Sequence, residues 1–404
     1  MAWIKKRSKK KFSAKNLNDP DIFCYGIFPF IQDQIIQDQN ILLQYRRTNK
    51  TLKQAVSRYS KKNPIMLHNL SSYDISTFLD FLKNNPKAID FYVGIIIAKD
   101  NRMENISTSL GTGIYSSIDD DVQGLLRFLK DKLKKLVLIN LDLEHISFEN
   151  FPESSITHLA FIECDNISKK KHFDKLPKSL ETLIIRGSYY EENELRKELC
   201  FSEDKYFCSL PNIKTLKIDN YKSTLRGHFF KRLPKTLEEF SLKNCHSIQA
   251  KNINDLLSLS KLKTLCISTD YINTDWYKKL PLTITTLHIK RNDKTKEILQ
   301  NIADKNIETL DISDISEFEC LYFALQKKLL TYLPKTLKRL KVFSIENVEI
   351  KDLDSLPPKM REIYIKDDVP FTVNDSDNQK IIQALRNKKI RVSTFKGLKY
   401  PLSK

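Results

Sequence analysis

Apolar and polar positions along most of this chain follow one recurring phrase, L-x-x-L-x-L with conservative replacements. It reads Leu133, Leu136, Leu138; then Ile156, Leu159, Phe161; then Leu180, Leu183, Ile185; then Ile213, Leu216, Ile218. It continues through Leu237, Phe240, Leu242; Leu262, Leu265, Ile267; Ile284, Leu287, Ile289; and Ile307, Leu310, Ile312. It closes with Leu337, Leu340, Val342 and Met360, Ile363, Ile365, so ten copies run at intervals of 22 to 33 residues. The final L-x-L alternation predicts a short strand that buries two side chains and turns the residue between them outward. Most copies are introduced by a phrase such as LPKSL (176–180) or LPKTL (233–237 and 333–337). Proline there ends the preceding segment and predicts an extended approach to the strand.

Between strands the pattern changes. Ile253, Leu256, Leu257 and Leu259 predict a helix over 252–261, and 122–131 predicts another. Upstream, 64–68 and 88–93 read as strands flanking a helix at 75–83, while 98–121 reads as a polar insertion. Residues 378–388 followed by Ile390 read as a capping helix and strand. One strand plus one helix every 20–29 residues is the period of a solenoid. Over roughly residues 65–395 the chain resembles the leucine-rich-repeat family, which implies an α/β solenoid: a curved parallel sheet with helices on the convex side. Cys164 and Cys245 fall three residues past the last strand position, where that family carries Asn or Cys, and are expected to be buried; Cys266 is expected on the outward face.

Residues 17–60 lack the repeat. Asp19 and Pro20 suit a helix start. Ile22, Phe23, Ile27, Phe28 and Ile31 form one apolar face; Ile41, Leu42 and Tyr45 form a second, and Leu52, Ala55 and Val56 a third. Three short amphipathic helices bury little surface alone and need a partner. Pro20, Ile22, Phe23, Ile27, Phe28, Ile31, Ile41, Leu42, Tyr45 and Leu52 resemble an F-box, with Asp19 in place of the usual leading leucine and a longer spacer. That resemblance implies that these ten residues dock the linker protein Skp1 of a cullin–RING ubiquitin ligase, with the repeats holding the target. A stand-alone repeat scaffold is the alternative. The organisation read from sequence is a basic tail (1–16), the F-box-like module (17–60), degenerate repeats with the insertion (61–132), leucine-rich repeats (133–377) and a capping unit (378–404).

Composition narrows the chemistry. Only 8 glycines occur in 404 residues, with no Gly-rich phosphate or dinucleotide loop. The seven cysteines form no CxxC, and neither HExxH nor GxSxG occurs. No catalytic residue, metal or cofactor is therefore expected, and no apolar run is long enough to span a bilayer. A repeat-bearing ubiquitin ligase with its own cysteine nucleophile would need a C-terminal catalytic domain, and no cysteine follows Cys320. The basic start has no apolar core of a signal peptide. Lysine- and isoleucine-rich, glycine-poor composition, with the two modules together, resembles effectors that intracellular bacteria deliver into a host cell; the cytoplasm of a host cell is the implied location. The tail Lys5–Lys11 reads as a solubilising tail, with a nuclear-import signal or an acidic-lipid contact as the alternatives.

Lys plus Arg is 68 against 50 Asp plus Glu, a formal charge of +18. The outward strand positions divide into two zones. Val137, Ile139, Ala160, Ile162 and Ile184 form an apolar patch, read either as a contact site or as a surface covered by 98–121. Beyond it Arg186, Lys217, Lys243, Lys290, Arg339, Lys341 and Lys366, with His288, Phe343 and Tyr364, form a mostly basic strip that suits an acidic or phosphorylated protein. Nucleic acid ranks last, because stacking aromatics are sparse.

Overall fold

The computed structural model describes residues 65–67, 79–80, 83–84, 95–98, 123–129, 131, 133–139, 141, 143, 146, 154–164, 175–187, 210–219, 230–243, 250–268, 272–291, 294–315, 327–342, 348–366 and 376–395. The chain divides into two compact units, 1–180 and 181–404.

In the first unit, β1 (Ile65–Leu67), β2 (Ile95–Ala98), β3 (Lys135–Ile139) and β4 (His158–Ile162) lie parallel in chain order. The register sets Ile95 and Ile97 beside Leu136 and Leu138. The strand expected at 88–93 lies outside the described residues; the strand that pairs is Ile95–Ala98, between that expected strand and the insertion expected from residue 98. The reason is visible in the phrase itself, where Tyr92 stands three residues before Ile95 in place of an aliphatic residue.

Among its described residues the second unit stacks nine parallel strands in chain order: β5 (Thr182–Arg186), β6 (Thr215–Asp219), β7 (Glu239–Lys243), β8 (Thr264–Ser268), β9 (Thr286–Arg291), β10 (Thr309–Ile315), β11 (Arg339–Val342), β12 (Glu362–Lys366) and β13 (Arg391–Phe395). One parallel strand per repeat, in an open sheet, is the architecture of leucine-rich repeats. The two apolar positions of the L-x-L phrase are buried, as at Leu183 and Ile185 or Leu310 and Ile312 (all 0% exposed), except that Ile365 of the last copy is part-exposed; connecting segments supply Phe230, Leu256, Ile298 and Ile302 to the same core. Phe230 meets Phe240 edge to face at 6.1 Å.

Repeat junctions follow one rule. The carbonyl of the second phrase position accepts two amides of the next repeat: Glu181 from Lys214 and Thr215, Lys214 from Glu238 and Glu239, Glu308 from Lys338 and Arg339. The proline phrase is a turn rather than the wholly extended approach expected, because the proline carbonyl accepts the amide three residues on (Leu180 to Pro177, Leu237 to Pro234, Leu337 to Pro334). The hydroxyl inside that turn reaches back one repeat. Ser179 donates to the carbonyls of Ser154 (2.9 Å) and Ile156 (2.7 Å), Thr236 to Pro211 and Ile213, and Thr336 to Lys305 (3.1 Å) and Ile307 (2.9 Å).

The helix expected at 252–261 is a 3-10 helix, Ala250–Ser258. Its buried residues Ile253 and Leu256, with Leu259 just past its end, recur every third position, the spacing at which 3-10 side chains eclipse. The helix Ser376–Asn387 buries Leu385 and is followed by the strand expected near Ile390. It ends with Lys389 at φ 62°, Ile390 N–H bonded to Leu385 and Lys389 N–H to Arg386, the Schellman arrangement.

Candidate functional site

A strand buried on one face presents every second residue on the other, and the observed register aligns these outward residues into columns. In the first unit, the β3 and β4 columns hold Val137 and Ile139 beside Ala160 and Ile162. Val137, Ile139 and Ile162 are part-exposed and Ala160 is buried. The register extends both columns to Ile96 and Ala98 of β2. Lys134 and Lys135 are exposed where the β3 column begins. Ile184 belongs to the second unit, in register with Lys217.

The second unit is different in kind. Its outward cations alternate with carboxylates. Lys217 lies 2.7 Å from Glu239, Arg186 3.7 Å from Asp219, Arg339 3.2 Å from Glu362, and Lys341 3.6 Å from Asp311. The strand edge repeats this alternation through Lys214–Glu181, Lys263–Glu238 and Lys338–Glu308. Their partner lysines hold Glu238 and Glu308 below the usual carboxylate range. Lys243 stands in register with Asp219 and is half-buried. Tyr364 donates to Glu362 at 2.9 Å, a bond that raises its pKa, and Arg391 is 4.0 Å from the same carboxylate. The backbone of Lys290 pairs beside Asp314. Phe343 and all ten F-box-like positions lie outside the described residues.

Asp311 is an outward carboxylate held on both oxygens. One oxygen, Oδ2, faces His288 Nδ1 at 3.0 Å and Lys341 Nζ; the other accepts the Ser313 amide at 3.1 Å and its hydroxyl at 2.6 Å. A register shift between Asp311 and Asp314 folds Ser313 back onto the carboxylate. Burial alone would raise this carboxyl; the His288 hydrogen bond and charge, with the two Ser313 bonds, outweigh it and hold the group well below its ordinary value. Ser313 donates to the carboxylate, so the trio is a fixed polar surface rather than a nucleophile with its base.

The cysteines described are both buried. Cys164 is buried, as expected, and its thiol donates to the Leu138 carbonyl of β3 at 3.3 Å. Cys266 corrects the sequence reading: it stands in the central column between Ser241 and His288, yet is only 6% exposed. Small residues in such a column sink below their larger neighbours, as Ser241 (8%) does here and Ala160 (7%) does in the first unit. Burial, with Cys266 nearby, pushes the Tyr277 phenol up. Among the described residues no group of His, Cys, Asp and Glu could hold a metal, and no helix is long and apolar enough to cross a membrane.

Sequence reasoning ranked the cations and passed over Asp219, Glu239, Asp311 and Glu362 as partners. The signal was present, since each lies in an outward column beside a cation one repeat away.

No family model matches the chain, and no curated protein does. Among solved structures it is similar to the leucine-rich repeat-containing protein LegL7 from Legionella pneumophila, at 14% identity and a TM-score of 0.37, over 66% of this chain and 84% of that one.

Proposed function

We propose that the chain is a non-catalytic protein-binding adaptor, whose outward strand columns hold a target protein. The observation carrying this reading is the contrast between the faces of each sheet: the inner residues are consumed by the core, while the outer ones stand in register on an open surface. Parallel columns of fixed side chains suit recognition of an extended or helical protein segment. In the finer reading the segment 17–60 docks Skp1 through Ile22, Phe23, Ile27, Phe28 and Ile31, and the bound target is presented for ubiquitination in the cytoplasm of a host cell. An acidic or phosphorylated target is in keeping with the +18 charge.

Purified Skp1 tests the finer reading. The full chain should capture it, and an Ile27→Asp/Phe28→Asp variant should not. Equal capture by both, or none by either, removes the ligase role and leaves a stand-alone scaffold. Incubation with ubiquitin, its activating enzyme and a conjugating enzyme tests the absence of catalysis; a ubiquitin thioester on any cysteine would overturn it.

A further inference from the structure

The two units do not offer a partner the same surface. In the second, the outward cations Lys217, Arg186, Arg339 and Lys341 already face carboxylates, so an acidic partner would have to displace Glu239, Asp219, Glu362 and Asp311. In the first, the outward positions past the strand start are apolar: Val137, Ile139, Ala160 and Ile162, with Ile96 and Ala98 aligned beside them. Part-exposed β-branched side chains on an open sheet are unfavourable in water and favour contact.

The rim of that patch is basic and differs from the equivalent rim of the second unit. There Lys214, Lys263 and Lys338 each lie 2.6 to 3.0 Å from a glutamate of the preceding repeat. Lys134 holds the same phrase position just ahead of β3, where the next repeat offers Thr157, and no described carboxylate forms an ion pair with Lys134 or Lys135. The geometry points to one kind of occupant: a partner-protein segment whose apolar side chains rest on Val137, Ile139 and Ile162 and whose carboxylates, at one end, meet Lys134 and Lys135. This inference rests on the protein-binding reading and names its site and partner chemistry. Apolar anchors supply the affinity of such a site, and the rim cations set its orientation and salt dependence.

A phage-displayed library of random peptides, selected on the intact chain, is the probe. Enriched peptides should share at least two aliphatic or aromatic residues with Asp or Glu at one end. Their affinity, by fluorescence anisotropy, should fall about tenfold or more on Ile139→Asp/Ile162→Asp. It should also fall on Lys134→Glu/Lys135→Glu and with added salt. Ile139→Ser/Ile162→Ser, a milder pair checked by circular dichroism, separates lost contact from lost folding. Peptides without apolar anchors, or peptides lost on Lys217→Glu/Lys341→Glu but not on the first-unit variants, overturn this site while leaving the protein-binding reading standing. No enrichment on any form sinks both. Self-association of the intact chain in sedimentation, abolished by Ile139→Ser/Ile162→Ser, would assign the face to a second copy and overturn the proposal.

Discussion

His288 on β9 and Asp311 on β10 face each other across one strand spacing, with Nδ1 3.0 Å from Oδ2. The carboxylate is fully occupied, since Ser313 holds its other oxygen. It titrates below its unfolded value of about 3.9. Its stabilisation is therefore complete above roughly pH 4 and is lost as pH falls toward the folded value. Asp311→Asn should cost about 1–3 kcal/mol at pH 7. It should also flatten the acid limb of urea-measured stability between about pH 5 and pH 3. An acid limb of unchanged slope would show that the carboxylate does not stabilise the fold.

Thr336 donates one hydroxyl toward two carbonyls of the previous repeat. Thr336→Val keeps the shape and removes the donor, and should lower stability by about 1–2 kcal/mol. Thr283 lies in the corresponding turn, is exposed, and makes no such bond among the described residues. Thr283→Val should stay within about 0.5 kcal/mol of the parent. Equal effects in paired thermal melts would refute the role given to the hydroxyl.

Lys389 closes its helix at φ 62°, the left-handed region that disfavours a Cβ. Lys389→Gly should raise stability by about 1 kcal/mol, whereas Lys389→Ala retains the penalty and should not. Chemical denaturation of both variants gives the comparison, and a gain with alanine equal to that with glycine would contradict it.

Phe240 is fully buried against Phe230. Phe240→Ala should cost about 3–5 kcal/mol in the same assay. A loss below about 1 kcal/mol would mean that the site collapses around the vacancy.

The inner half of the fold was legible because burial imposes a strict period. Leu183 and Ile185, or Leu340 and Val342, announce themselves two apart, and the phrase before them marks where each strand begins. Even Ile253 and Leu256, with Leu259 just beyond, carried the three-residue spacing of the 3-10 helix at Ala250–Ser258. The outer half was harder, because its pairs join residues 22 to 33 positions apart and depend on register. Lys217 reads as a lone cation until Glu239 is placed beside it. Cys266 reads as exposed until the heights of its neighbours are known. The strand Ile95–Ala98 was hidden by a single tyrosine at the position where leucine was sought.

The forked amide pairing ahead of each strand has a consequence for how such a chain can vary. Glu181 and Lys214 hold the second position of phrases separated by 33 residues, Glu238 and Lys263 of phrases separated by 25, yet both junctions carry the same two bonds. Added length is absorbed behind one rung and never reaches the next, so an indel at one loop does not propagate as a frame error along the ladder.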